Sequence, residues 1–376
     1  MEMKKSRHSN IELLRICAML MIIMDHIVIH CINVQLTDTS SIERMGNGLF
    51  NEPVFFKKLM VIAFIIPWGN IGNALFMLIS GYFMAGKQKI DITKISKKIL
   101  AQLGMAAILL VLISTVCYLE IPDIKFNLVK IWDYNDMSWF AGYYFLIILG
   151  AKIFLNKFLN GLEEKQYISF LISCFAIIQL SWSRILADNL ASGLTVLITG
   201  FFLYSFGGYI KKYNPFGHVK TWAFIGLIII VYIMIYISNY NNTVNMIQDY
   251  IFNGSNGEFY QNLNTYGNNS IVVIIIGICL FEIFKRLRIP QNRFINYVGA
   301  ATFMTYLIHD NGFSYSIWNT QDWITLLYYN PLLGLGKIFA WALLFLGGGI
   351  IAYSIYIQCG KLFNKYQYVF LTEDSK

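Results

Sequence analysis

The chain has 376 residues, of which 57% are hydrophobic and 13% are charged. One soluble core cannot bury that much apolar surface, so the composition excludes an ordinary soluble domain and favours an integral membrane protein. The net charge of +8 lies mainly in short segments between apolar stretches. This pattern is typical of membrane topology, and no nucleic-acid partner is expected.

Ten apolar segments have the length and composition of membrane-spanning helices. We predict spans at residues 11–31, 68–86, 97–119, 138–156, 166–183, 190–210, 221–238, 270–285, 294–309 and 337–358. The segment 54–67 contains two lysines and ends at Pro67, which favours an interfacial or re-entrant stretch. No internal repeat or soluble domain is evident. The fold class is therefore predicted to be all-α integral membrane, with a single domain over residues 1–376.

The distribution of basic residues predicts the orientation of these ten spans. With a cytoplasmic N-terminus, 21 of the 29 Lys and Arg residues lie on the inner side and six on the outer side. Short cytoplasmic loops of membrane proteins carry such an excess of positive charge. Both termini are therefore expected in the cytoplasm. The chain is expected to be a multi-pass plasma-membrane protein, with the lipid bilayer as its first partner.

Two long segments are predicted to be loops on the outer side. Segment 239–269 has no Lys or Arg and is rich in Asn, Gly and Tyr. Segment 310–336 is rich in Tyr and Trp, including Trp318 and Trp323. These aromatic side chains could bind a sugar, or could mark the membrane interface, where Trp and Tyr commonly collect.

The six cysteines are scattered and lie in or beside apolar segments. They form no CxxC pair and no cluster with histidine along the sequence, so neither a disulfide framework nor a metal site is predicted. The informative residues are instead the polar side chains within the spans, because each of them is costly to bury in a membrane.

The first span carries a polar stripe along one helical face. Residues three or four apart share such a face, and a series with this spacing runs through Glu12, Arg15, Met19, Ile22, His26 and His30. Arg15 and His26 are then about 16 Å apart along the helix axis. An ionisable residue within a membrane is a functional candidate. Alternatively, Arg15 could pair with Glu12 or reach the lipid headgroups, and His26 could be a packing residue.

The second span has a polar face of its own. Asn70, Asn73, Met77 and Ser80 share that face, and glycines beside it permit the close approach of another backbone or of a ligand. For Ser80 and Gly81 considered alone, helix packing is the favoured interpretation.

The ninth span ends in His309, which is followed by Asp310. Because this span runs outward in the predicted topology, His309 is expected near the depth of His26, where the two histidines could form a reaction centre. His309 could equally lie at the headgroup level. Asp310 could orient a histidine or be an ordinary loop residue. Asp25 adjoins His26 in sequence but points about 100° away on the helix, so we do not pair them.

The loop 87–98 is densely basic and follows the inner end of the second span. Its lysines are Lys87, Lys89, Lys94, Lys97 and Lys98. Two interpretations are open. The lysines could contact anionic lipid and set the topology, or they could bind the phosphates of a nucleotide-bearing donor.

Several of these segments resemble, in order, the motifs of the membrane acyltransferase-3 family. Residues 10–15 (NIELLR) are similar to the usual start of that family, and Arg15 with His26 resembles its R-x10-H motif. Residues 76–83 (FMLISGYF) resemble its F-x-x-x-S-G-[FY] segment.

The later matches extend the resemblance to residue 310. Residues 138–140 (SWF) resemble the W-[FY] entry to the fourth helix, and residues 293–309 resemble the late helix that ends in Y-L-x-H. The R-x-x-R motif that often follows the second helix is replaced by Lys94-Ile95-Ser96-Lys97. Lysine keeps the charge of arginine but lacks its two-pronged geometry.

The resemblance implies ten helices and the transfer of an acyl group, commonly acetyl from acetyl-CoA, to a sugar hydroxyl. The expected acceptor is a bacterial cell-envelope, capsular or exopolysaccharide glycan, or a lipid-linked sugar. Acetyl-CoA or another acyl-CoA is then a co-substrate, and no permanently bound cofactor is expected.

The resemblance and the polar pattern together assign roles to individual residues. His26 and His309 are expected to be catalytic. The donor is expected to contact Arg15, Ser80, Lys94, Lys97 and Lys98. Supporting roles are expected for Glu12, Asn73, Trp139 and Asp310. Two other functions stay open, namely a transporter or flippase that uses these groups as a proton relay, and a polysaccharide polymerase.

Overall fold

The computed structural model describes residues 8–37, 53–121, 124–130, 138–179, 188–253 and 266–373. Within these ranges the regular secondary structure is entirely helical, which confirms the all-α class. Seven helical stretches are long and apolar enough to cross a membrane: Ser9–Gln35, Lys57–Met84, Ile92–Glu120, Trp139–Gly161, Gly193–Tyr213, Thr221–Asn245 and Pro331–Leu362. The chain is therefore a multi-pass helical membrane protein.

The described residues form fifteen α-helices. They are α1 (Ser9–Ile27), α2 (Asn33–Thr37), α3 (Pro53–Ala63), α4 (Trp68–Met84), α5 (Ile92–Glu120), α6 (Trp139–Gly150), α7 (Asn156–Gly161), α8 (Glu164–Gln179), α9 (Asp188–Tyr213), α10 (Thr221–Asn253), α11 (Ile271–Arg286), α12 (Arg293–His309), α13 (Gly312–Trp318), α14 (Trp323–Tyr329) and α15 (Pro331–Glu373). Two π-helical segments, Val28–Ile32 and Ala151–Leu155, join α1 to α2 and α6 to α7 without a break.

Within the described residues each of the ten predicted spans lies on a helix, and residues 180–183 of the span 166–183 fall outside them. Two of the other helices, α11 and α12, are short, with 16 and 17 residues. At about 1.5 Å per residue they extend ~24–26 Å, less than the ~30 Å of a typical hydrocarbon core. Ten crossings and cytoplasmic termini therefore stay predictions.

Helix α1 lies at the centre of the bundle. It packs against α4, α11, α12 and α15, and its apolar side chains, such as Leu14, Met19 and Ile23, are buried. The polar stripe of α1 also faces protein, since Glu12 is buried and the Arg15 side chain is only 27% exposed. This orientation is the one expected of ionisable groups within a membrane.

Both segments that were predicted to be outer loops contain helices, and that part of the prediction is wrong, although residues 254–265 of the first segment lie outside the described residues. Segment 239–269 begins inside α10, where buried Asn239 and Thr243 continue the helix and the Thr243 hydroxyl donates to the Asn239 carbonyl. Segment 310–336 contains α13, α14 and the start of α15. Trp318 and Trp323 are fully buried, and Trp323 Nε1 donates to the Trp318 carbonyl. These two tryptophans are core residues and are not available for sugar stacking.

A further segment differs from its predicted form. The basic loop 87–98 is helical from Ile92 onward, because Asp91 caps α5 by accepting a hydrogen bond from the Lys94 backbone N–H at 2.9 Å.

Segment 54–67 forms α3 and the turn before α4, and α3 packs against α10. Its side chains from Leu59 to Ile66 are mostly buried. With α4 it forms the helical stretch Lys57–Met84, which is long and apolar enough to cross a membrane, so the choice between an interfacial and a re-entrant segment stays a prediction.

Close packing of α4 against α9 depends on two glycines. A Cβ on Gly81 would overlap the backbone carbonyl of Tyr204, and a Cβ on Gly207 would overlap that of Leu78. Backbone atoms cannot move aside as a flexible side chain can. The packing interpretation of Gly81 is therefore supported.

We predict that Gly81→Ala lowers the thermal stability of the folded protein. The added methyl group forces the two helices apart, and such overpacking typically costs about 1–3 kcal/mol. The apparent melting temperature of detergent-solubilised protein, followed by size-exclusion chromatography, is expected to fall by several degrees. The control is Gly104→Ala on α5, because a Cβ at Gly104 meets no atom within 4 Å. Equal melting of both variants would contradict the packing role.

Candidate active site

Two histidines from different helices meet at one end of α1. His26 lies on α1, and His309 is the last residue of α12. His309 Nε2 lies 3.1 Å from His26 Nδ1, and the rings stack with centroids 5.0 Å apart. His309 is fully buried, whereas the His26 side chain is 16% exposed. The expectation that these histidines lie at one depth is met, although they are 283 positions apart in sequence.

The positions of the protons follow from the partners of each ring. His309 Nδ1 lies 3.1 Å from the Thr305 carbonyl oxygen and 2.9 Å from that of Tyr306. Carbonyl oxygens only accept hydrogen bonds, so His309 Nδ1 carries the proton and Nε2 of the neutral ring holds a lone pair. His26 Nδ1 then donates to that lone pair. In a neutral His26 the lone pair is therefore on Nε2, and this atom can accept a proton.

Asp310 completes this cluster. Its Oδ1 lies 3.4 Å from His26 Nδ1, and it accepts a hydrogen bond from the Tyr315 hydroxyl. A carboxylate at this position favours the proton on Nδ1 and stabilises the imidazolium that forms when Nε2 is protonated. The geometry therefore favours the histidine-orienting interpretation of Asp310. Asp25 packs against Gly69 instead.

The turn between α12 and α13 holds Asp310 and Tyr315 in place. Asn311 Oδ1 accepts from the Ser314 N–H at 3.0 Å, and its amide group donates to the Ile308 carbonyl at 2.8 Å. Burial and the adjacent Asp310 carboxylate raise the pKa of Tyr315, so its hydroxyl stays protonated and donates. Burial acts to raise the pKa of Asp310 as well, but the neighbouring histidines and the Tyr315 hydroxyl outweigh it and lower that pKa.

A cavity of about 250 Å³ lies beside the other half of α1. Arg15 on α1 and Lys98 on α5 mark one end of it. Beyond these cations the walls are mainly apolar, with Met19, Ile22 and Phe303 among them. A cationic end and an apolar interior suit a ligand with an anionic head and a less polar arm.

Arg15 is held in this cavity by an ion pair within α1. Its Nη1 lies 3.0 Å from Glu12 Oε1, so the predicted alternative of a local pair is correct. Arg15 nevertheless lines the cavity, and a guanidinium group has five N–H donors. Gly299 on α12 leaves room for Glu12, because a Cβ there would collide with the Glu12 side chain.

The cavity ends one helical turn short of His26. Ile22 lines the cavity, but His26, four residues and ~6 Å further along α1, does not. Tyr306 and Phe140 form the end wall, where the Phe140 backbone N–H donates to the Tyr306 hydroxyl at 3.1 Å. The Tyr306 ring also lies 5.9 Å from the His309 ring. Tyr306 therefore both lines the cavity and packs against the histidine cluster.

Only some of the residues predicted to bind a donor line the cavity. Ser80 and Lys98 line the cavity together with Arg15. The Ser80 hydroxyl donates to the Phe76 carbonyl at 2.7 Å, which leaves its oxygen able to accept. Lys94 and Lys97 are exposed on α5 and do not line the cavity.

Two predicted supporting residues lie outside the cavity wall, and other residues take their place. Asn73 is half-buried on α4, and Trp139 is 45% exposed. Phe140, the neighbour of Trp139, lines the cavity instead. Sequence reasoning missed the barrier formed by Tyr306, although this residue stands in the Y-L-x-H match. It also missed Tyr315, whose role depends on a turn that no local pattern marks.

These features define a multi-pass helical membrane protein with a buried histidine and carboxylate cluster and a separate cavity bounded by cations. The model of the acyltransferase-3 family, described as an acyltransferase domain, matches residues 8–359. The chain therefore belongs to that family and is an acyltransferase. No curated protein and no solved structure matches it.

We predict that nitrogen-15 NMR of histidine-labelled protein in lipid will show this proton arrangement directly. At a pH where the rings are neutral, His26 and His309 should each carry the proton on Nδ1 and none on Nε2. The His26 signals are assigned by their loss in His26→Ala, with His218→Ala as the matched control for an exposed histidine. A proton on His26 Nε2 would contradict the assignment.

Proposed function

We propose that this acyltransferase moves an acyl group, most simply acetyl, from acyl-CoA to a sugar hydroxyl of a bacterial cell-envelope glycan or its lipid-linked precursor. The proposal rests on one observation. Along a single face of α1, the cation-bounded cavity at Arg15 is followed, about 16 Å further on, by the histidine cluster at His26.

The cavity suits the donor part of this reaction. Coenzyme A has a phosphorylated head and a long arm that ends in the thioester. Arg15 binds phosphate oxygens in a planar, two-pronged arrangement, and Lys98 adds a point charge. A volume of about 250 Å³ accommodates an arm with the head outside. In the predicted orientation this end faces the cytoplasm, where acyl-CoA is made.

The histidine cluster suits the proton transfer. His26 Nε2 takes the proton of the acceptor hydroxyl while the hydroxyl oxygen attacks the thioester carbonyl carbon. The carbon–sulfur bond then breaks, and the sulfur of coenzyme A leaves as a thiolate that takes up this proton. Asp310 stabilises the imidazolium between these steps, and His309 holds His26 in position.

Tyr306 controls the connection between the two sites. Because Tyr306 lines the cavity and packs against His309, the donor arm would displace it to bring the thioester to His26. Before that displacement Tyr306 separates the thioester from water on the acceptor side, which limits wasteful hydrolysis.

The acceptor must approach His26 from the side opposite to the cavity. The predicted topology places that side outside the cytoplasm, where envelope glycans and their lipid-linked precursors are found. A sugar hydroxyl also suits this base, because the neutral ring has a lone pair on Nε2 that can accept the hydroxyl proton.

We predict that His26→Ala nearly abolishes acyl transfer without unfolding the protein. Loss of a general base typically costs about 10²–10⁴-fold in rate. The measurement uses protein in lipid nanodiscs with labelled acetyl-CoA and envelope glycan, and follows label in the glycan. His218→Ala, on an exposed loop, should transfer normally.

The same assay separates this function from its alternatives. A transporter, flippase or polymerase would neither hydrolyse acetyl-CoA nor move label to a glycan. Normal transfer by His26→Ala would reject His26 as the base. Mass spectrometry of glycans from a deletion strain then identifies the lost group and its position.

We predict that Lys98→Met raises the KM for acyl-CoA, because a phosphate contact at the cavity is lost. Lys98 is exposed, and an exposed ion pair is typically worth about 0.2–1 kcal/mol, which corresponds to roughly 1.5–5-fold in binding. Lys97→Met is the matched control, since Lys97 is adjacent and, like Lys98, exposed, but does not line the cavity. Equal effects of both substitutions would indicate a diffuse charge effect and contradict a specific contact.

A further inference from the structure

A third histidine lies beside the candidate active site without a role in the proposed reaction. His30 follows His26 on the same face of the first span, and their rings meet edge to face at a centroid distance of 5.4 Å. One ligating atom from each of His26, His30 and Asp310 lies within 4.8 Å of the others. Two imidazoles and a carboxylate thus converge on one point.

The distances among these three ligating atoms are close to the distances among the ligand atoms of a zinc site. Zinc binds histidine nitrogen at about 2.0–2.1 Å in tetrahedral geometry, so its ligand atoms lie roughly 3.3 Å apart. The pair of His26 Nδ1 and Asp310 Oδ1 is already at 3.4 Å. The remaining separations, at most 4.8 Å, close with side-chain shifts of about an ångström.

Tyr315 supports two of the three ligands. Its ring stacks on His30 with centroids 4.1 Å apart and an interplanar angle of 12°, and its hydroxyl donates to Asp310. Metal ligands in proteins are commonly oriented by such neighbouring contacts. Three protein ligands leave a fourth tetrahedral position, and the lone pair of His309 Nε2, 3.1 Å from His26 Nδ1, lies beside it.

We propose that His26, His30 and Asp310 bind Zn²⁺, and that the bound ion switches off the base. A metal ion needs the lone pair of the histidine nitrogen that it binds. Coordination at His26 Nδ1 therefore places the proton on Nε2, the opposite of the arrangement set by His309. With Nε2 protonated, His26 cannot accept the proton of the acceptor hydroxyl.

The sequence predicted no metal site because its ligands come from distant segments. His26 and His30 form a histidine pair with i, i+4 spacing in the first span, but such a pair alone provides only two ligands. Asp310 joins them only through the packing of α1 against α12. The prediction was based on the spacing of cysteine and histidine along the sequence, and that spacing does not reveal a contact between distant segments.

Metal binding is tested without reference to catalysis. Full-length protein without a histidine tag, in lipid nanodiscs, is titrated with Zn²⁺ by calorimetry and with Co²⁺ by visible absorption. We expect one ion per chain in the wild type and a tetrahedral Co²⁺ spectrum. His30→Ala should lower the affinity at least tenfold, and Tyr315→Phe, which keeps the ring, by roughly 10–100-fold. His218→Ala should bind as the wild type does.

Equal zinc affinity in the wild type and His30→Ala would overturn the site. The same conclusion follows if the bound Co²⁺ spectrum is octahedral and unchanged by His30→Ala. The melting temperature and elution profile of His30→Ala are measured in the same preparation. These two measurements show whether a loss of zinc affinity comes from the missing ligand or from misfolding.

The switch rests on the proposed function and is tested separately. Zinc at about ten times its dissociation constant occupies about nine-tenths of the sites, so transfer by the wild type should fall about tenfold and recover with EDTA. His30→Ala should keep its own rate in the same zinc concentration. Unchanged or stimulated transfer by the zinc-loaded wild type would overturn the switch. Absence of transfer under every condition would reject the proposed function instead, with zinc binding still measured by calorimetry.

Discussion

The hydrogen bond from His309 Nδ1 to the backbone carbonyls of its own helix sets the chemistry of the whole site. Because His309 is fully buried, water cannot replace those carbonyls, and the ring is held in one tautomer. That tautomer makes His309 Nε2 an acceptor and obliges His26 to donate from Nδ1. The reactive lone pair at His26 Nε2 is therefore a consequence of backbone geometry in α12, transmitted through one neighbouring ring.

The same constraint explains why a single helix carries residues of both the cavity and the histidine cluster. Charged groups in a membrane must face protein and be partnered, so α1 carries its polar stripe toward α12 in the centre of the bundle. At one end Glu12 partners Arg15, and Gly299 makes room for that pair. The polar groups on the stripe thus have partners on α1, on α12 and in the segment after α12 that holds Asp310 and Tyr315.

The proposed reaction and the proposed zinc site require the proton of His26 on different ring nitrogens. His309 and Asp310 favour that proton on His26 Nδ1, whereas a metal ion at Nδ1 requires it on Nε2. Tyr306 adds a second condition to the proposed reaction, because it lines the cavity, packs against His309 and would be displaced by an entering donor arm. Activity would then depend on two independent events, displacement of Tyr306 and a metal-free His26.

The sequence alone determined the helical membrane class, the approximate positions of the long helices and the polar stripe of α1. These follow from apolar length and helical periodicity, which are local properties, and the ordered motifs carried the family resemblance. The amide-rich end of α10 and the aromatic segment around Trp318 were mistaken for loops, because polar or aromatic composition does not reveal burial. Only the tertiary structure decided which nitrogen of His26 is basic, that Lys98 and not Lys97 reaches the cavity, and that Asp310 meets His30. The histidine contacts depend on how α1 packs against α12, nearly 300 residues away, and the place of Lys98 depends on how α5 packs against α12. No local pattern encodes such contacts.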